Sequence, residues 1–283
     1  MLLQLLINTL IVGSGYGLIA MAFRLMYSVS PFFNLTLGSV VAVSAYAALY
    51  FTPSLRAGAI FPVVAIAALL SWALEAFAYK PMRDRRASPM ILLVASLGLY
   101  TIFESVISLA FGVKYHALGD GAQIYLGFTT MPLVQFLIII FNFAVFAGLS
   151  VFLHHSFMGK QIRAVNDEAA LAHMIGMKTD RIIMIVSVIT GAILGLSGVL
   201  IGYDTGMEPT MGFNLLFKGI IAAIIGGMRN LRGAFFGALF LAFSENVAVW
   251  AFASEWRDLV AFAIFITFLY LRPQGIFQKK VEA

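Results

Sequence analysis

The sequence predicts an all-α integral membrane protein, a polytopic bundle of about eight or nine transmembrane helices. Three observations carry that expectation. The 283 residues are 61% hydrophobic and only 11% charged, with 26 Phe and a mean hydropathy of +0.97, far from the composition of soluble domains. Apolar runs long enough to cross a hydrocarbon layer of roughly 30 Å as helices recur along the whole length. The polar–apolar alternation of membrane β-barrel strands is absent. Residues 1–283 read as a single transmembrane domain with one cytoplasmic insert at about 156–181.

Nine apolar segments are expected, at 2–25, 29–51, 58–79, 89–112, 131–154, 182–203, 213–228, 233–252 and 257–272. The first starts at once, without a basic leader or a small-residue cleavage site, and reads as a retained helix. The second contains Pro31, Asn34 and Gly38. Because Pro31 favours starting or interrupting a helix, this segment is either broken or re-entrant, or begins at the interface. The seventh is barely long enough to cross. Irregular backbone at such depths is tolerated only where protein or water satisfies it, and eight full crossings is the lower count.

Of the 18 Lys and Arg, 14 lie in one alternate set of connections, three in the other, and Lys218 inside a segment. The positive-inside rule then places the first set and the C-terminus in the cytoplasm, and the N-terminus outside. The net charge of +5 is thus a topology signal, and no nucleic-acid partner is expected. There is no cysteine, which excludes disulfides, thiolate catalysis and thiolate-bound metal. The four histidines show no metal-ligand spacing with carboxylates, so no metal site is expected; His154 and His155 read as a cap to the fifth span. Asp120, Asp204, Glu208, Glu255 and Asp258 give the external side an acidic rim. Such a rim suits basic side chains of an external protein, and is equally what positive-inside sorting leaves behind.

Ionisable groups inside a membrane are costly and face a pathway or a partner. Lys218, Glu104 and Glu245 are the candidates, either lining a translocation path or locking helices together. Counting from the expected ends, Lys218 lies about 9 Å and Glu104 about 12 Å below the external surface, so the two can pair. Glu75, near the cytoplasmic end, reaches the interface or pairs with Lys80. Asn34 and the nearby Ser30, Thr36 and Ser39 form a second polar cluster, where a broken helix leaves backbone groups to meet a solute, and Asn34, Thr36, Gly38 and Ser39 are candidates for the path. Gly191 with Gly195 and Gly233 with Gly237 let helices approach closely.

The insert "AVNDEAALAHMIGMKTDR" (Ala164–Arg181) is charged and helix-forming. Asn166 or Asp167 suits an N-cap, Glu168 the first turn and Gly176 the end. Ala170, Leu171, Met174 and Ile175 gather on one face of a helix about 15 Å long. That apolar face needs a partner, either the lipid surface or a cytoplasmic protein.

The stretch "GKQIRAVNDEAALAHMIGMKTDRIIMIVSVITGAILGLSGVL" (Gly159–Leu200) resembles the cytoplasmic loop and following helix of branched-chain amino acid type ABC importer permeases. Three further stretches resemble that family in order: "YKPMRDRRASPMILLVASLGLY" from Tyr79, "LLFKGIIAAIIGGMRNLRGAFFGALFLAFSEN" from Leu215, and "LRPQGIF" from Leu271. Two departures stand out. Where the family's second span carries Asn-Phe-Ala-His-Gly and an acidic residue, this chain has "FNLTLGS", keeping Asn34 and Gly38 but placing Leu37 and Ser39 at the His and acid. The wider ABC permease signature puts three residues between Glu-Ala-Ala and Gly; here five separate Ala170 from Gly176.

The resemblance implies the ABC importer permease fold and a subunit of the bacterial inner membrane. It does no covalent chemistry and binds no cofactor itself. This chain has no G-x-x-x-x-G-K-[ST] loop, so ATP and Mg would sit on partner subunits. Those partners are two ABC ATPases, a second homologous permease forming a heterodimer, and an external solute-binding protein, all set in membrane lipid. The ATPase-coupling residues implied are Arg163, Asp167, Glu168, Ala169, Ala170, Leu171, Ile175 and Gly176. The expected solute is a branched-chain or other amino acid, with urea or short amides next. Other readings are an ATP-independent transporter or channel, coupled through Lys218 and the glutamates, and an anchor subunit without a path.

Overall fold

The computed structural model describes residues 2–55, 60–116, 123–125, 130–228, 230–272 and 275–276. Arg56, Asp120, Arg229, Pro273, Gln274, Phe277, Lys279 and Lys280, which enter the charge pattern or the C-terminal motif above, lie outside the described residues. The chain runs α1 (Leu2–Val29), α2 (Thr36–Leu55), then α3 (Ile60–Ala73), which passes through a π-helical turn, Leu74–Tyr79, into α4 (Lys80–Asp84). After α5 (Pro89–Phe111) comes a hairpin of β1 (Gln123–Tyr125) and β2 (Thr130–Pro132). Then follow α6 (Leu133–His155), α7 (Phe157–Asp167), α8 (Ala169–Met174), α9 (Thr179–Thr205), α10 (Met211–Gly226), α11 (Leu231–Ala251) and α12 (Trp256–Leu271).

Among the described residues the regular structure is helical apart from that hairpin, which composition did not foretell. Six helical stretches are long and apolar enough to cross a membrane: Leu3–Val29, Ile60–Asp84, Pro89–Phe111, Leu133–His155, Thr179–Thr205 and Leu231–Ala251. The protein is therefore a multi-pass membrane protein. The apolar part of α2, Thr36–Phe51, and α10 are shorter.

The expected segment at 29–51 is interrupted, one of the alternatives raised by Pro31, and its helix starts later than expected. Val29 ends α1, residues 30–35 are not helical, and α2 opens only at Thr36. Pro31 has no N–H to give and disfavours helical geometry at Ser30, while Asn34 accepts from the Thr36 N–H at 3.1 Å and so starts the new helix. The break is partly enclosed, with Ser30, Phe32 and Asn34 buried and Pro31 exposed.

The core is built around α1 and α9, both mostly enclosed, whereas α3, α5 and α6 leave most of their apolar surface outward. α1 packs on α9, α10 and α11; α9 packs on α2 and α3. Glycines set the closest of these contacts. A Cβ on Gly191 or Gly195 would meet Ser71 or Ala67 of α3. Gly233 stands against the Gly226 carbonyl, and Gly237 against that of Ala222. Both spaced pairs thus are places of close helix approach. Gly38 of α2 and Gly212 of α10 also stand backbone to backbone, each facing the other's carbonyl.

At the hairpin end the loops are tied to the bundle. Tyr115 OH donates to Thr205 O at 2.6 Å. His116 and Met207 form a β-bridge, and Gln135 Nε2 donates to Asp204 Oδ1 at 2.8 Å.

At Gly38 an added Cβ would lie 2.7 Å from the Gly212 carbonyl oxygen, whereas at Gly98 of α5 it would meet nothing within 4 Å. Gly38→Val is expected to lower the thermal midpoint of the detergent-purified protein, by a destabilisation of about 1–3 kcal/mol for overpacking. Gly98→Ala is expected to hold or raise the midpoint.

Candidate functional site

The break before α2 carries the first polar cluster. Asn34 Oδ1 accepts from the Thr36 backbone N–H, from Thr36 Oγ1 and, at 3.0 Å, from Tyr79 OH. Tyr79 closes the π-helical turn, and its hydroxyl lies 2.8 Å from Thr36 Oγ1. From α5, Ser96 Oγ accepts from Leu35 N–H at 3.1 Å and donates to Leu93 O at 2.7 Å. Side chains from two neighbouring helical elements therefore satisfy the opened backbone, as a non-aqueous setting requires. Asn34, Thr36 and Ser39 are all enclosed. Gly38 serves the approach to Gly212.

Lys218 of α10 organises the second cluster. Its Nζ lies 3.3 Å from Glu245 Oε1 on α11 and 2.9 Å from Asp258 Oδ1 on α12. Tyr16 of α1 donates its OH to Glu245 Oε2 at 2.9 Å, and the Lys218 ammonium stands 5.4 Å from the Tyr16 ring centroid. Four helices thus meet at one cation. The pair of Lys218 with Glu104 that depth along the helices allowed is not the one formed. Glu104 is half-buried on α5 one turn beyond Tyr100, whose ring packs on Phe213, so an aromatic contact occupies the ground between α5 and α10. Depth alone carried no information about which face each residue occupied. Asp258, assigned to the external rim by sequence, is a partner of Lys218.

Beside this cluster, α10 and α12 enclose a cavity of about 280 Å³. Lys218, Asp258 and Asn214 supply its polar groups; Phe213, Phe217 and Phe262 supply apolar walls.

Glu75 is likewise corrected. It is buried in the π-helical turn and pairs with Arg83 at 2.6 Å, not with Lys80. The wider winding of the π turn brings Arg83, two turns on, back beneath Glu75. Arg83 also lies 3.8 Å from Asp180, in the first turn of α9.

The insert between α6 and α9 is two helices, where sequence suggested one. Ser156 Oγ accepts from Gly159 N–H at 2.8 Å and caps α7. With Gly159, Ile162 and Val165 buried at three-residue spacing, α7 runs through Asn166 and Asp167, which therefore lie inside a helix and not at the N-cap of the next one. Glu168 takes the cap position, with φ −155° and ψ 98°, and α8 spans only Ala169–Met174, about 9 Å at 1.5 Å per residue. Gly176 ends the insert at φ +85°, the left-handed geometry a glycine accepts most readily. Arg163 donates to Leu153 O, fastening α7 to the end of α6. Leu171, Met174 and Ile175 are exposed together on one face, while Ala172 turns inward. The Ala170 side chain lies outside the described residues.

The profile of the family described as branched-chain amino acid transport system / permease component matches residues 5–269. The chain belongs to this permease family. It is a transport subunit, not an enzyme. Among relatives, the high-affinity branched-chain amino acid transport system permease protein LivH of Escherichia coli (strain K12) is 29% identical over 97% of this chain and 94% of its own length. The corresponding protein BraD of Pseudomonas aeruginosa is 28% identical, over 97% and 95%. A probable branched-chain amino acid transport permease protein LivH of Methanocaldococcus jannaschii is 25% identical, over 92% and 87%.

For a permease of this family, the sequence reading singled out Lys218 and Glu245 as intramembrane charges without pairing them, and gathered Leu171, Met174 and Ile175 on one face. It missed Tyr16, Tyr79 and Ser96. A tyrosine amid glycines in "GSGYG" was a usable signal for Tyr16. No local signal marked Tyr79 or Ser96, because their partners lie 43 and 61 residues away.

Replacing Lys218 by Met leaves Glu245, 1% exposed, without its cation. Stranding one member of a buried ion pair costs about 3–5 kcal/mol. A marked fall in the thermal midpoint of Lys218→Met is expected, with substantial recovery in Lys218→Met/Glu245→Gln, both read by size-exclusion-coupled thermal unfolding.

Proposed function

We propose that the chain is the permease subunit of an ATP-driven ABC importer that carries a branched-chain or other small amino acid into the cytoplasm. The observation that carries this reading is α8. A helix of one and a half turns that holds Leu171, Met174 and Ile175 out of its own core has a face that the described residues do not cover. An ATPase groove is the partner that gives such a face a purpose. Arg163, Asp167, Glu168, Ala169, Ala170, Leu171, Ile175 and Gly176 form that docking element, anchored through α7 at one side and through Asp180 and Arg83 at the other.

In this reading the domain is single, residues 1–283, and sits in the bacterial inner membrane with eight or nine crossings. The N-terminus is outside and the C-terminus inside, so that α8 is cytoplasmic, in keeping with the distribution of Lys and Arg. Two ATPases bring ATP and Mg, a homologous permease completes a heterodimer, and an external binding protein delivers solute. Asn34, Thr36, Gly38, Ser39, Glu104, Lys218 and Glu245 belong to the translocation region. The cavity beside Lys218 supports an amino-acid cargo. Lys218 offers a cation for a carboxylate, Asp258 an anion for an ammonium, and three Phe rings an apolar wall for a branched side chain.

In proteoliposomes containing the full assembly, Leu171→Glu/Met174→Glu is expected to abolish ATPase association and lower uptake by at least about tenfold, the equivalent of 1.4 kcal/mol of docking. The thermal midpoint of the isolated chain should be unchanged, since both residues are exposed. Uptake at the wild-type rate with no ATPase bound would reverse the reading in favour of an ATP-independent transporter.

A further inference from the structure

At the α7 end of the bundle, α1, α6, α7 and the start of α11 enclose a second cavity, of about 350 Å³, within the size range of small-ligand pockets. Its charge has one sign. Arg24 of α1, Arg163 of α7 and Arg232 of α11 bring guanidinium groups, His154 brings an imidazole from the last turn of α6, and Asn166 and Asn230 bring amides. No carboxylate is among the described residues that line it.

Guanidinium groups remain charged at any physiological pH, and their planar forks match the oxygens of a phosphate. Three of them line one small space, where protein walls lower the local dielectric and strengthen the attraction of each for an anion. Arg24 is only 7% exposed, so its charge is held within the protein. The N-terminus of α11, a helix of 21 residues capped by Asn230, adds the positive end of its dipole to the same space.

The cavity's level in the bilayer points to the source of that anion. Arg24 lies five residues before Val29, the last residue of α1, about 7.5 Å along the axis. His154 is in the last turn of α6. The space therefore opens where helix ends meet the headgroup layer, and basic pockets between transmembrane helices at that level suit anionic headgroups.

We propose that this cavity binds a phosphate-bearing anion: the headgroup of an anionic phospholipid if the occupant enters from the bilayer, or free phosphate if it enters from water. A phosphate there joins α1, α7 and α11, and so steadies the root of the docking element.

The test uses the full chain purified in detergent, probed with phosphatidylglycerol, phosphatidylcholine and inorganic phosphate. Native mass spectrometry is expected to show one phosphatidylglycerol retained per wild-type chain in preference to phosphatidylcholine. Retention should fall about tenfold in Arg232→Gln, the effect of losing one charge-assisted hydrogen bond. Arg232 is exposed, so this variant keeps the test alive if Arg24→Gln fails to fold. Phosphate-dependent thermal stabilisation that Arg232→Gln loses, without lipid preference, supports the proposal with water as the source. Equal retention of both lipids together with no phosphate effect overturns it. So does phosphatidylglycerol retention, or phosphate stabilisation, that is the same in wild type, Arg232→Gln and Arg24→Gln. A cavity protected only when an ATPase is docked, with neither probe bound, assigns the arginines to acidic side chains of that partner and also overturns it.

Discussion

A backbone opened where packed protein keeps water out must find its hydrogen-bond partners in protein, and much of this structure follows from one such opening. Residues 30–35 interrupt the helical run, and their exposed groups need donors and acceptors from elsewhere. Asn34 caps α2, Ser96 of α5 holds the Leu35 N–H, and Tyr79 closes over Asn34. Those contacts oblige α5 and the π-helical turn to lie against the break. They also let α2 approach α10 at Gly38 and Gly212, where a side chain on either would strike a carbonyl.

The ionic groups obey the same constraint with larger energies. Glu245 is buried and tolerated because Lys218 and Tyr16 meet it from two other helices. Lys218 also reaches Asp258, so α1, α10, α11 and α12 share one charge centre. Glu75 repeats the arrangement with Arg83. Through Arg83 the buried carboxylate is connected to Asp180, in the first turn of α9. With Arg163 fastened to Leu153 O, the insert is gripped at both of its ends. The Arg83–Asp180 contact is long and partly exposed, so its direct contribution to stability is small; its place in the chain gives it significance.

Stability and transport make different demands on the same helices. α1 and α9 are enclosed and glycine-packed, a rigid centre, whereas α5, α6 and α12 present broad apolar surfaces outward. Lipid covers such surfaces without further design. The insert differs because its exposed face is short and bounded by turns at Glu168 and Gly176. That geometry suits a groove better than a flat bilayer surface.

The sequence by itself determined the membrane class, the approximate position of every apolar helix and the exposed apolar face of the insert, because hydropathy and helical spacing are local properties. It also marked Gly191, Gly195, Gly233 and Gly237 as contact points, since a missing side chain is visible without knowing what fills the space. The partner of each polar group was decided only by tertiary structure: Lys218 with Glu245 and Asp258 and not Glu104, Glu75 with Arg83 and not Lys80, Asn34 with Tyr79. Depth along a helix can be counted from the chain, but azimuth depends on packing, and a π turn such as Leu74–Tyr79 resets it. The cluster of Arg24, Arg163 and Arg232 was hidden for the same reason, since its members are joined by the folding of three helices and by nothing in their spacing.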